Sequence, residues 1–202
     1  MNKNRRIAFL LAVLFCLSAV TFVAVAKYIK DVPFSGNVTF TADLVETFSL
    51  TESEATRNTD GTYSLDTDTS TDENPYTLMP GVDVPKDPKI TITGKTAVPA
   101  YLYVEVLESE NFPATVTYSM ATGWEALDIT GPKGGKVYVY GTVLNGTTPD
   151  LTIPILENDT LKVSQNLLRG TTATMTFYGY MAQQVSAYAN ATETFTANFL
   201  AP

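Results

Sequence analysis

Histidine is absent from the 202-residue sequence, and cysteine occurs only once, at Cys16. Without histidine the chain lacks the commonest general base and the commonest transition-metal ligand, which excludes a Ser-His-Asp triad and a histidine-ligated zinc site. A single cysteine cannot form a disulfide within the chain. The sequence therefore predicts a protein that is not an enzyme, with no catalytic residues, no cofactor and no metal site.

Basic residues are also scarce, with 13 Lys and Arg against 21 Asp and Glu and a net charge of −8. A surface of this sign is repelled by the phosphates of nucleic acids and by anionic lipid headgroups. The charge balance therefore predicts no nucleic-acid partner, and it favours solubility.

The N-terminal segment, residues 1–26, has the features of an export signal. Three basic residues precede an uncharged apolar run, residues 7–26, which ends in the small residues Ala24 and Ala26 directly before Lys27. This order is typical of a signal peptide, and it predicts cleavage after Ala26 and secretion of the mature chain. The alternative is a permanent anchor, since about 20 apolar residues can span a bilayer.

Beyond residue 36, apolar and polar residues alternate in short stretches separated by turn residues. The longest stretch covers residues 37–50, and others cover residues 89–93, 101–107, 115–120, 136–144 and 173–181. Period-two alternation predicts half-buried strands, and helical periodicity is rare. We therefore expect an all-β domain over residues 37–202, folded as an antiparallel β-sandwich. At its end, Asn190 and Glu193 have the spacing of a helix capping box, although the threonines there favour a strand almost equally.

Residues 51–74 are rich in Asp, Glu, Ser and Thr, and Asp60-Gly61 marks a turn. Part of the segment is similar to a calcium-binding loop, but Thr71 stands where that loop needs glycine and Thr77 where it needs an acid. The composition predicts a solvated acidic loop, with weak calcium binding as the alternative. A glycine-rich stretch at residues 131–136 lacks the spacing of a phosphate loop and predicts a turn.

Three predicted strands carry tyrosines two positions apart, on the face opposite their aliphatic residues. Because tyrosine is amphipathic, such positions can be half-exposed. The pattern is compatible with packing against a helix or under loops, with a subunit contact, or with a carbohydrate-stacking surface. These candidate surface aromatics are Tyr101, Tyr103, Tyr138, Tyr140, Tyr178 and Tyr180.

Several stretches together resemble one group of exported proteins. They are AVAKY at residues 24–28, the strand at 36–50, LMPGVDVPKDP at 78–88 with the strand that follows, and AYLYVEV at 100–106. In this order the chain resembles the TasA/CalY-like family of Gram-positive bacteria, whose members form extracellular matrix fibres. The resemblance implies a jelly-roll sandwich, cleavage by a signal peptidase of the SipW type, and fibre assembly by donor-strand exchange.

A candidate donor strand lies in residues 27–36, which signal cleavage would place at the N-terminus. Tyr28, Val32 and Phe34 share one parity there, so all three side chains can fill a neighbouring subunit's groove. Pro33 cannot donate to a sheet ladder, which suits an edge strand or a connector. Head-to-tail exchange of this kind does not close, and it therefore produces a filament.

We thus expect a secreted structural subunit of a biofilm-matrix fibre, found in the extracellular matrix or at the cell surface. Its partners would be copies of itself, other matrix proteins and, during export, a signal peptidase; it would contact the membrane only through the uncleaved signal segment. The alternative is a cell-surface adhesin or carbohydrate-binding module that uses the tyrosines. A hydrolase with Asp83 and Asp87 as its carboxylate pair is a third reading, which the spacing does not favour.

Overall fold

A computed structural model of the protein describes residues 29–33, 38–39, 47–71, 73–94, 96, 98–145 and 150–200. Within these ranges strands predominate, and every pair of strands is antiparallel. The all-β prediction is therefore confirmed. The predicted signal segment at residues 1–26 lies outside the described residues.

In the described part of the chain there are thirteen strands and four short helical segments. The strands are β1 (Ile29–Pro33), β2 (Val38–Thr39), β3 (Thr47–Arg57), β4 (Tyr63–Thr71), β5 (Val84–Pro85), β6 (Lys89–Thr93), β7 (Ala100–Glu108), β8 (Val116–Thr117), β9 (Trp124–Thr130), β10 (Lys136–Tyr140), β11 (Leu151–Pro154), β12 (Thr160–Val163) and β13 (Met175–Gln183). The helical segments are α1 (Phe112–Thr115), a 3₁₀ turn (Glu157–Asp159), α2 (Ala191–Phe195) and a π-helical turn (Thr196–Leu200).

The strands form three sheets. Sheet 1 has the order β1-β13-β7-β10-β9, and sheet 2 has the order β11-β6-β3-β2, with β4 paired to β3. Sheet 3 is small and has the order β5-β12-β8. Seven of the ten pairings described join strands that are not consecutive in the chain, so most pairings are long-range.

Sheets 1 and 2 pack face to face around one hydrophobic core. Phe48 and Leu50 of β3 are buried in the same cluster as Val104 of β7 and Phe177 of β13. The ring of Phe48 lies so close to Gly179 that a Cβ there would be 2.9 Å from it. The arrangement is therefore sandwich-like, as alternation in β3, β7 and β13 predicts.

The only tryptophan of the chain ties the two sheets together at one end. Trp124 of β9 is buried, and its indole N–H donates to the carbonyl of Pro154 in β11 over 2.8 Å. A buried indole needs such an acceptor, because an unpaired N–H away from water costs free energy.

The second face of sheet 1 is covered by the helical end of the described chain. α2 begins after Asn190, whose side chain accepts a 2.9 Å hydrogen bond from the Glu193 N–H, while the Glu193 carboxylate accepts from the Ala189 N–H over 2.8 Å. The predicted cap is therefore present, and the segment is helical. Phe195 is fully buried against the sheet.

The single strand predicted over residues 37–50 is wrong. Val38–Thr39 and Thr47–Arg57 are separate strands that pair antiparallel, with Thr39 opposite Thr47. In this register even-numbered residues of β2 lie opposite even-numbered residues of β3. The alternation of apolar and polar residues therefore has the same parity in both strands, and it does not show that the chain turns back between them.

The acidic loop predicted at residues 51–74 is also wrong, because most of it forms the β3–β4 hairpin. The predicted turn at Asp60-Gly61 is confirmed: the Asp60 carboxylate accepts from the N–H (3.0 Å) and the hydroxyl (2.6 Å) of Thr62, which lowers the pKa of Asp60. Most of β4 is exposed, which is why a polar sequence can form this strand. The threonines that made it look loop-like are good strand formers.

Candidate functional site

β1 forms one outer edge of sheet 1 and pairs antiparallel with β13. Its five residues run opposite Tyr178 to Ala182, with Ile29 opposite Ala182 and Pro33 opposite Tyr178. Pro33 thus belongs to an edge strand, as its missing N–H predicts. Because β13 lies between β1 and β7, its backbone would become a free sheet edge if β1 left.

Of the predicted donor-arm residues, Val32 lies in β1, opposite Gly179. Tyr28 and Phe34 lie outside the described residues. So do the predicted cleavage-site residues Ala24, Ala26 and Lys27. The arm thus contributes a strand to its own subunit's sheet.

Two of the three tyrosine pairs share the helix-covered face of sheet 1. Tyr103 and Tyr180 lie opposite each other in β7 and β13 and are both fully buried, which means that their interpretation as surface aromatics is wrong. The Phe195 ring covers them, with centroids 5.0 Å from Tyr103 and 5.5 Å from Tyr180. Burial raises the pKa of Tyr103, whose hydroxyl donates to the Ala191 carbonyl over 2.9 Å. Packing against a helix is thus the correct reading at these two positions.

The remaining tyrosines are half-buried, and they do not form one surface. Tyr101 and Tyr178 flank the buried pair on the helix-covered face. Tyr138 and Tyr140 instead pack against the inter-sheet core, because Tyr138 lies opposite Val104. As predicted, the tyrosines of β10 lie opposite the valines of that strand, but here it is the valines that share the face of Tyr103.

A buried carboxylate occupies the centre of the helix-covered face. Glu105 of β7 is fully buried and accepts three hydrogen bonds: from the N–H groups of Lys133 (3.0 Å) and Gly135 (2.7 Å) and from the Tyr180 hydroxyl (2.6 Å). A Cβ at Gly131 would overlap the Glu105 carboxyl group. The glycine-rich segment is a turn, as predicted, and its backbone N–H groups bind the side chain of Glu105. Sequence reasoning missed Glu105, because alternation alone placed it among exposed polar residues.

A second buried carboxylate, Glu52 of β3, organises a polar group that we call the Glu52 cluster: Glu52, Asn74, Tyr76 and Lys86. Glu52 is fully buried, and its Oε2 accepts from the Lys86 ammonium over 2.6 Å. Its Oε1 accepts from the Asn74 amide over 2.7 Å and from the Tyr76 hydroxyl over 3.4 Å. Burial and the neighbouring Glu52 raise the pKa of Tyr76. No sequence pattern pointed to this cluster.

The cluster lies in the wall of a cavity of about 480 Å³. Apolar side chains such as Phe112, Val116 and Phe177 line most of it, and the exposed residues Glu73 and Thr172 lie at its margin. The cavity therefore connects the buried charges with solvent.

The carboxylates of Asp83 and Asp87 have separate partners. Asp87 accepts from the N–H (2.8 Å) and the hydroxyl (2.7 Å) of Ser53 and pairs with Lys89. Asp83 pairs with Lys162. Each acid is thus engaged in its own ion pair, and the two do not form a joint carboxylate site.

Within the described ranges, no group of three or more acidic, cysteine or histidine side chains is placed to hold a metal ion. No helix among these residues is long and apolar enough to cross a membrane.

Comparisons with known proteins found no match among family models, curated proteins or solved structures.

Proposed function

We propose that the protein is a secreted structural subunit of an extracellular, biofilm-matrix fibre, assembled head to tail by donor-strand exchange. In the fibre, β1 of one subunit pairs with β13 of the next. The subunit would have the TasA-like character and jelly-roll connectivity that the sequence resemblance implies.

The position of β1 at the edge of sheet 1 carries this proposal. Among the described strands, β13 is the only partner of β1, and β1 is the first strand after the predicted cleavage point. A terminal strand at a sheet edge can leave without breaking any other strand pair. The same backbone hydrogen bonds then re-form with an identical β13 of another copy.

Protein concentration should decide how far the proposed exchange proceeds. The bonds lost within a subunit equal the bonds gained between subunits, so their contribution to the free energy nearly cancels. Each exchanged arm leaves its own β13 open for another copy, and the chain of contacts grows without closing.

Composition supports the extracellular setting. The predicted signal segment contains the only cysteine and three of the basic residues, so the mature chain would be free of cysteine, with a net charge of about −11. The adhesin alternative receives less support, because Tyr103 and Tyr180 are buried under Phe195 and cannot stack on a sugar.

Paired cysteine variants of the mature chain test the exchange directly. One preparation carries Ile29→Cys and a second carries Ala182→Cys, since these positions lie opposite each other in the β1–β13 pair. After mixing, assembly and oxidation, we expect disulfide-linked dimers of the two chains on a non-reducing gel and filaments by electron microscopy.

A matched control replaces Ala182→Cys by Met175→Cys, because Met175 pairs with Glu108 of β7 and has no partner in β1. This pair should give filaments without disulfide-linked dimers. If a mature chain lacking residues 27–34 still forms filaments, β1 is not the donor. A sample that stays monomeric at high concentration contradicts the fibre function itself.

A further inference from the structure

We propose that Lys86 and Asn74 join through an intramolecular isopeptide bond, with Glu52 carrying the protons. The bond would link the lysine Nζ to the asparagine Cγ inside the Glu52 cluster. It would form in the folded subunit, whether or not subunits assemble.

The Glu52 carboxylate touches both reacting groups. Its Oε2 lies 2.6 Å from the Lys86 Nζ, and its Oε1 lies 2.7 Å from the Asn74 Nδ2. The nucleophile and the leaving group are therefore bound to opposite oxygens of one acid. A carboxyl group in this position is within reach of both protons that the reaction must move.

The Asn74 amide is held in one orientation by backbone groups. The Ala55 N–H donates to its Oδ1 over 2.7 Å, and its Nδ2 donates to the Ser53 carbonyl over 2.8 Å. The Ala55 N–H consequently points at the oxygen that becomes negative when an amine adds to Cγ. A preorganised backbone donor of this kind stabilises the tetrahedral intermediate.

The attacking amine must first give up a proton, and Glu52 is placed to take it. Lys86 and Glu52 are both buried, and the Phe177 ring lies 5.8 Å from the lysine Nζ. One proton moved across the 2.6 Å contact from the ammonium to the carboxylate leaves a free amine, which is a good nucleophile towards carbonyl carbon.

The reaction balances without any further reagent. Glu52 takes one proton from the Lys86 ammonium, and the free Nζ amine adds to Cγ of Asn74. The added nitrogen loses a second proton through Glu52, and both protons pass to the departing nitrogen as the Cγ–Nδ2 bond breaks. Ammonia leaves with the extra proton, as ammonium, so one C–N bond has replaced another and Glu52 ends in its starting state. The adjoining cavity reaches exposed residues and offers ammonia a route to water.

A competing loss of ammonia is blocked at this asparagine. Asparagine commonly loses ammonia when the next backbone nitrogen attacks its side chain, but residue 75 is proline and has no N–H. A loss of ammonia from Asn74 would therefore indicate that its side chain has reacted with Lys86.

Mass spectrometry of tryptic peptides from the purified full chain tests the bond. Trypsin cuts after Arg57, Lys86 and Lys89, so an unlinked chain gives a peptide of residues 58–86. The linked chain should resist cleavage at Lys86 and give residues 58–89 with a mass lower by about 17 Da, the mass of ammonia. Fragment spectra should place the link between Asn74 and Lys86. The full sequence mass with normal cleavage at Lys86 overturns the proposal.

Two variants and a control separate the roles. Lys86→Arg keeps the charge but removes the nucleophile, so trypsin should cut after position 86 and release residues 58–86 with no mass deficit. Glu52→Gln should form little or none of the linked peptide; full linkage in this variant would show that Glu52 is not the proton carrier. Lys89→Arg changes the next lysine and should leave the deficit unchanged. Persistence of the deficit in Lys86→Arg contradicts the link.

Discussion

The hydroxyl of Tyr180 donates a 2.6 Å hydrogen bond to the carboxylate of Glu105, and both side chains are fully buried in the folded chain. Two backbone N–H groups of the glycine-rich turn complete the shell of this carboxylate. This buried carboxyl group is therefore the shared acceptor of three donors, and its removal should destabilise the fold.

Glu105→Ala should destabilise the fold by roughly 3–5 kcal/mol, because three buried donors lose their acceptor. Tyr180→Phe removes one donor and should cost about 1–3 kcal/mol. Urea denaturation measures both, and the double variant should lose less than the sum, since the two groups contact each other. Glu110→Gln, at an exposed position, is the control and should stay within about 0.5 kcal/mol. Additive effects would show that the contact is not formed.

The glycines of the turn should differ sharply in their tolerance of alanine. A Cβ at Gly135 would lie 2.5 Å from the Val106 carbonyl oxygen, whereas Gly134 has open space around it and only a positive φ of 90°. Gly135→Ala should cost about 3 kcal/mol through overpacking, and Gly134→Ala about 1 kcal/mol through backbone strain. Thermal unfolding measures the difference. Equal losses would mean that the turn does not hold Glu105 tightly.

Phe195→Ala should uncover the tyrosines under α2. The ring is fully buried, contacts Tyr103 and Tyr180, and lies 4.8 Å from the Phe199 ring, so its removal should cost about 3–5 kcal/mol. Chemical denaturation measures the loss, and the near-UV circular dichroism of the tyrosines should weaken. Thr196→Ala, one position further and exposed, should change neither signal.

Asp87 should make stability depend on pH at the acid end. Burial alone would raise its pKa, but hydrogen bonds from Ser53 and the charge of Lys89 outweigh it, and the pKa is lowered. A lowered pKa in the folded state stabilises the protein above the unfolded value of about 4, and this stability is lost as the pH falls through the folded value. Asp87→Asn should therefore flatten the fall of unfolding free energy with decreasing pH. Asp128→Asn, at an exposed position, should leave the slope as it is.

The strands were predictable wherever one face is apolar and the other polar. β6 was predicted at its observed bounds, and the Asn190 cap was predicted from spacing alone. Alternation could not show which face of β10 meets the inter-sheet core, because helix α2 covers the outer face of sheet 1 and both faces are apolar. Either Tyr138 or Val139 could therefore face the inter-sheet core, and only the pairing of β10 with β7 determines which of them does.

The buried carboxylates could not be predicted, because their partners are distant in the chain. Glu105 is held by a turn about 30 residues away, and Glu52 by Lys86, 34 residues away. A lone acid between apolar strand residues has the same local pattern as a solvent-facing one. Only the folded arrangement brings the backbone donors and the lysine to it.

Tyr180 of β13 lies between the arm strand β1 and the buried carboxyl group of Glu105. On one side its backbone meets the arm strand, with Asp31 opposite Tyr180, and on the other side the Tyr180 hydroxyl reaches Glu105. If arms exchange as proposed, Tyr180 loses the neighbouring arm strand only while β13 is open. Its NMR resonance should then report that open state, which would let exchange be followed without attaching a dye.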